Sequence, residues 1–178
     1  RKLNRMKKII NSLLMISKIY NEPFLKNGTV NIKALLQEIV EDFQEHLSTK
    51  NIRLYMQHLD DFEFPNANRT LLFTLFSNII TNAIKYNVEN GQIDISASKQ
   101  NDVFVVEIRD TGVGIVKENL SHIFDRFKKF NKSTEPSFGL GLAIVKTISD
   151  FHRLTLSVSS EANKGTTFRV EFPVSSFT

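Results

Sequence analysis

The chain has 178 residues, a net charge of +4, 41% hydrophobic residues and no cysteine, enough for one sizeable core plus an appendage. The absent cysteines exclude disulfides and thiolate metal centres and fit a reducing compartment. No apolar run approaches the roughly 18 residues of a membrane span, and the basic residues are too scattered to favour nucleic acid as a partner.

The opening Arg1-Lys2-Leu3-Asn4-Arg5 has neither a signal-peptide core nor an initiator Met, and reads as part of a longer protein. Residues 3–21 read as a helix with a coiled-coil seam. Met6, Leu13 and Tyr20 recur every seven residues, and Ile9 and Ile16 fill the positions three further on. A helix packed only on its own domain fits the same residues. Glu22-Pro23 stops it, because the residue before a proline is pushed out of helical conformation. Asn27-Gly28 signals a turn before a short extended piece.

An amphipathic helix is predicted over 32–49, with Ile32, Leu35, Leu36, Ile39, Val40, Phe43 and Leu47 inward. A strand follows at Ile52–Met56. Pro65-Asn66-Ala67-Asn68 opens a long helix to about Tyr86, capped by Asn66 or Asn68. Asn90-Gly91 turns the chain into two strands. Ile93, Ile95 and Ala97 share a face in the first, and Phe104, Val106 and Ile108 in the second. Residues 111–138 are weakly periodic, with a short helix predicted at 117–123. Residues 128–138 are polar, in a loop long enough to suggest function or disorder. A helix over 139–151 precedes two closing strands joined by Asn163-Lys164-Gly165. This order predicts an α+β fold: a two-layer α/β sandwich with helices on one face of a mixed, largely antiparallel sheet.

Three groups of residues suggest chemistry. Asn78, Asn82 and Lys85 share one stripe of an otherwise apolar helix. An Asn oxygen is a hard donor suited to Mg²⁺, and a lysine one turn on can meet phosphate. The stripe also fits a face turned to water. Asp110 continues the parity of Phe104, Val106 and Ile108, so a carboxylate ends an apolar face. A buried carboxylate needs a partner, and an adenine amino group provides one. Gly112 and Gly114 let the backbone pass close to a flat ring. An ordinary Asp-Gly turn explains the same residues. Gly139 and Gly141 open a helix whose first N–H groups form an anion site, or they serve close packing. The Arg126–Lys129 cluster could also attract phosphates.

Taken in order, these motifs resemble the catalytic ATP-binding domain of bacterial sensor histidine kinases. These belong to a superfamily with the gyrase, mismatch-repair and heat-shock chaperone ATPases. The resemblance runs from about residue 31 to 173. Asn78 to Tyr86 looks like that family's N box, and Asp110 to Ile115 like its G1 box. Phe124 to Phe127 resembles the F box, Gly139 to Lys146 the G2 box, and Gly165 to Phe168 the final strand.

The resemblance implies that Asn82 binds Mg²⁺ with Asn78 beside it, that Lys85 contacts phosphate and that Tyr86 packs near the nucleotide. Asp110 accepts the adenine amino hydrogen bond. Gly112, Gly114, Ile115 and Phe127 flank the nucleotide. Gly139, Leu140, Gly141 and Leu142 border the triphosphate of ATP or ADP, and residues 125–138 form a lid. Thr166 supports the adenine, chosen over Thr167 because it shares strand parity with Phe168 and Val170.

Residues 1–22 resemble the second helix of a dimerisation and phosphoacceptor hairpin, and 23–178 the catalytic domain. The first hairpin helix and its phosphorylatable His are absent. His46, His58, His122 and His152 do not sit in an acceptor motif. No catalytic group beyond nucleotide positioning is therefore expected, and no self-phosphorylation. The implied partners are the phosphoacceptor hairpin of the same or a partner protomer, a second copy of the full-length protein, and a response regulator. The implied location is the cytoplasmic side of the inner membrane.

Two departures stand out. Pro136-Ser137-Phe138 replaces a glycine common just before the G2 box, and Arg153-Leu154 replaces a Gly-Gly after His152, expected to be neutral. An ATP-hydrolysing switch is disfavoured, because no Glu or Asp lies between Asn68 and Lys85 to activate water. An anti-sigma-type serine kinase lacks the N-terminal seam, and a degenerate regulatory module lacks an intact Asn82, Asp110 and glycine set.

Overall fold

The computed structural model describes residues 2–21, 24–129 and 139–174. The proline stop at Glu22-Pro23, the Phe138 departure and the lid between 130 and 138 lie outside the described residues. The chain order is α1 (Lys2–Asn21), β1 (Gly28–Asn31), α2 (Ile32–Asp42), α3 (Gln44–Thr49), β2 (Arg53–Leu59), β3 (Glu63–Ala67), α4 (Arg69–Lys85), β4 (Gln92–Gln100), β5 (Val103–Asp110), α5 (Lys117–Leu120), α6 (Gly141–His152), β6 (Thr155–Glu161) and β7 (Gly165–Pro173). No helix among the described residues is long and apolar enough to cross a membrane.

The main sheet runs β2-β4-β5-β7-β6, with β2 parallel to β4 and every other pair antiparallel. Its inner face carries Ile93, Ile95, Ala97, Phe104, Val106, Ile108, Phe168, Val170 and Phe172, all buried. These are the alternate positions that the pleat directs to one side. Against them lies α4, which packs on α6 and α2. Aromatic rings fill one end of this layer. Phe62 stacks on Phe104 with centroids 4.3 Å apart, and Phe64 meets Phe172 edge-on at 4.9 Å. The other end, where β5 finishes at Asp110, stays open.

Several expectations need correction. The helix over 32–49 breaks at Phe43, whose N–H bonds back to Val40 O at 3.2 Å in a tight turn. Pro65–Ala67 is strand, not helix. This segment pairs antiparallel with β1 in a two-stranded sheet, where edge positions tolerate the proline. Asn68 is the cap of α4: its side chain accepts from Leu71 N at 3.1 Å. The last helix begins at Gly141, because Gly139 has φ +66 and cannot be helical. Arg153 is not conformationally neutral. It takes the left-handed geometry (φ 57) at the end of α6, which glycine adopts without strain.

The N-terminal seam divides. Ile16 and Ile19 are buried in the domain's own core, and Ile9 and Leu13 are half-buried against it. Met6 and Tyr20 are exposed, together with Leu3, Ile10 and Leu14. Helix α1 packs on α6, so it joins the domain through one side and leaves a second apolar line uncovered.

His152 is buried at the end of α6. Its Nδ1 donates to Ile148 O at 3.0 Å, and its Nε2 accepts from Asn68 N at 3.0 Å. Burial lowers its pKa to about 4, partly offset by the bond to Ile148 O; the nearby Lys26 charge lowers it further. The unfolded chain therefore binds this proton more readily. Stability from His152 is full above pH 6.5 and is lost as pH falls towards 4. Denaturant midpoints at pH 7.5 and 4.5 should show wild type losing about 2 kcal/mol relative to His152→Gln.

Candidate functional site

At the open end of the sheet, α4, α6 and the tips of β5 and β7 enclose a cavity of about 520 Å³. That volume falls in the range of small-molecule sites. Asp110 forms its floor. Pairing fixes it opposite Ile93 on β4 and Thr166 on β7. It is only 6% exposed, and its Oδ1 accepts from Gly112 N at 2.8 Å and Thr166 N at 3.3 Å. Burial pushes its pKa up to about 6, although those two backbone bonds pull the other way. Such a carboxylate needs a donor on its remaining lone pairs.

Beside it, Thr166 Oγ1 lies 2.8 Å from Ser160 Oγ, and Ile115 N donates to Ser160 Oγ at 2.8 Å. Ser160 thus ties the glycine loop to the end of the sheet. Its half-buried place on an edge strand carries no sequence signal. The loop is also anchored to α4, through Val113 N donating to Tyr86 O at 3.0 Å. At that helix end Lys50 Nζ donates to Ile84 O and Lys85 O at 3.3 and 3.0 Å, matching a cation to the negative pole. This contact spans 34–35 residues, too far for local pattern to reveal.

The polar stripe of α4 forms one wall, with Asn78, Asn82, Lys85 and Tyr86 all lining the cavity. Asn78 Nδ2 donates to Thr74 O at 2.8 Å. A carbonyl can only accept, so the amide orientation follows, and Asn78 Oδ1 is left facing α6. A Cβ on Gly141 would come within 2.9 Å of that oxygen. The facing wall is the start of α6, where no side chain caps the first turn, so its N–H dipoles are turned to the cavity mouth.

Gly114, Ile115, Gly139, Leu140, Gly141, Leu142 and Thr166 also border the cavity. Two predicted residues do not. Gly112 sits behind Asp110 as a hydrogen-bond donor. Phe127 is 56% exposed, and its N–H bonds to Gly139 O at 2.8 Å. That bond fastens the backbone of the F-box segment to Gly139. Ile123, Ile144 and Phe168, not predicted for the site, supply apolar surface, and Lys128 and Lys129 of the basic cluster read as a phosphate attractor supply charge. No cluster of three His, Asp, Glu or Cys side chains suited to a metal occurs among the described residues.

The arrangement offers a buried acceptor at one end, apolar walls between, and amides and cations at the other. An adenine nucleotide has the complementary order. Residues 67–176 match the family described as histidine kinase-, DNA gyrase B- and HSP90-like ATPase. The heme sensor protein HssS of Staphylococcus saprophyticus is 34% identical over 94% of this chain and 36% of its own length. The sensor histidine kinase RppB of Synechocystis is 30% identical over 96% of this chain and 38% of its own. The chain thus spans little more than a third of these curated relatives. Among solved structures, the catalytic domain of histidine kinase ThkA superposes with a TM-score of 0.72 at 28% identity, covering 82% of this chain and 94% of that one. The chain belongs to the histidine kinase-, DNA gyrase B- and HSP90-like ATPase family, as an ATP-binding catalytic domain of the sensor histidine kinase type.

Proposed function

We propose that residues 23–178 hold Mg-ATP and present its γ-phosphoryl to a histidine on a dimerisation hairpin, of which residues 1–22 are the second helix. The observation that carries this reading is the buried Asp110 carboxylate, which lines the cavity with two backbone donors on one of its oxygens. Asp110 accepts from the adenine amino group, supported by Thr166 and Ser160. The first turn of α6, with Lys85, Lys128 and Lys129, holds the phosphates.

Magnesium fits as a shared ion. Asn82 lines the cavity and offers one carboxamide oxygen, with Asn78 Oδ1 nearby. An ion that keeps several waters and takes its other oxygens from phosphates needs no more from the protein. When bound, it supplies charge neutralisation across the phosphates. The residues of this chain orient the nucleotide and shield it from water, while the accepting histidine nitrogen forms the new P–N bond and ADP leaves. The acceptor belongs to the other hairpin helix, so these 178 residues alone should form no stable histidine phosphate from radiolabelled ATP. A response regulator is the proposed next carrier, in a dimeric and membrane-anchored parent.

Titration with ATP, with and without Mg²⁺, tests the metal assignment. In Asn82→Ala, affinity with magnesium should fall about tenfold, while affinity without it stays near wild type. Equal magnesium dependence in both proteins overturns it.

A further inference from the structure

The cavity has a wall that the nucleotide-binding motifs do not supply. Lys8, Asn11 and Ser12 of α1 line it together with Gly141 and Leu142 of α6. The packing explains how they arrive there. At the far end of both helices, Phe24 meets Phe151 edge-on at 6.3 Å, and Lys26 lies 4.3 Å above the Phe151 ring. Ile16 and Ile19, both buried, then anchor α1 to the shared core.

From Asn21 back to residues 8–12 is roughly 14–20 Å along a helix, and from Phe151 back to Gly141 is about 15 Å. The two helices run side by side in the same direction. The polar residues of α1 therefore lie at the uncapped start of α6, the end of the cavity remote from Asp110.

We infer that α1 is part of the nucleotide site, with Lys8 as a positioning residue for the terminal phosphate of ATP and Asn11 and Ser12 as polar contacts beside it. The inference rests on the nucleotide reading given above. An ammonium at this mouth has no role towards adenine or ribose, so it distinguishes a triphosphate from a diphosphate. Reciprocity follows: if Lys8 favours ATP, then ATP must favour the docked position of α1. Nucleotide occupancy would thereby be felt by the helix that continues into the hairpin.

Calorimetric titration of wild type, Lys8→Ala and Lys8→Glu with ATP and ADP tests this, alongside amide hydrogen exchange. Lys8→Ala should weaken ATP roughly 5–10-fold and ADP less than about twofold, with Lys8→Glu worse for ATP. Wild-type α1 amides should exchange more slowly with ATP than with ADP. An ATP-to-ADP preference unchanged in Lys8→Ala, or ATP binding that tightens because α1 obstructs the mouth, overturns the inference while leaving the nucleotide reading intact. Absence of binding by either nucleotide to folded wild type overturns both.

Discussion

Asp110→Asn is expected to weaken ATP binding about 100-fold while making the ligand-free protein more stable. The two effects share one cause. A carboxylate accepts from the adenine amino group, whereas an asparagine that keeps its oxygen on Gly112 N and Thr166 N must turn its NH₂ towards that amino group. The change loses a charge-assisted bond and sets donor against donor, about 3 kcal/mol together. Without nucleotide the carboxylate is a burden. Burial raises its pKa to about 6, so its favourable contribution is full below 3.8 and is lost as pH rises through 6. At pH 7.5 removing the charge should stabilise the empty protein by about 1–3 kcal/mol, or a few degrees in Tm. Wild-type affinity should also fall below about pH 6, where the empty site is protonated and must lose that proton to accept from adenine. Thermal shifts across pH, with and without ATP, measure all three. Coincident loss of binding and of stability would point to a merely structural Asp110.

Gly165→Ala should have the largest effect on folding. Gly165 has φ +103, and a Cβ there would lie 1.9 Å from Asp110 O. The obstructing atom is backbone in the central sheet and cannot swing aside. Strain and displacement together should cost about 3–5 kcal/mol, lowering Tm by about 10 °C. The strand that must shift carries Asp110, so nucleotide binding should fall as well. Gly28→Ala is the control. Its Cβ would meet Ala67 O at 3.3 Å without a positive φ, and the loss should stay under about 1 kcal/mol. Equal Tm values for the two variants would show that the β5–β7 junction is looser than its geometry.

How much of this was legible in the residues depends on the range of each interaction. Period-two alternation reveals Phe104, Val106, Ile108 and Asp110 as one face, and the same parity selects Thr166 over Thr167. The register places Asp110 directly opposite Thr166. The stripe of Asn78, Asn82 and Lys85 is equally local, and it lines the cavity. Pro65 misleads because a proline just ahead of the cap-forming residues Asn66 and Asn68 fits a helix start as well as an edge strand. Gly139 and Gly141 look alike in sequence, yet Gly139 alone of the two has a positive φ, with the backbone of Phe127 and Lys128 where a Cβ would lie. Lys50 beneath α4, Ser160 beside Thr166 and Lys8 at the mouth depend on tertiary contact. No periodicity encodes them.

In this account a buried carboxylate reads the purine amino group. Calorimetric titration of wild type with ATP and with purine riboside triphosphate, which differs only in lacking that amino group, tests it most directly. ATP should bind about 30-fold more tightly or better, because the analogue leaves Asp110 buried without its donor. Equal affinities, or no heat from either nucleotide on folded protein, would contradict it.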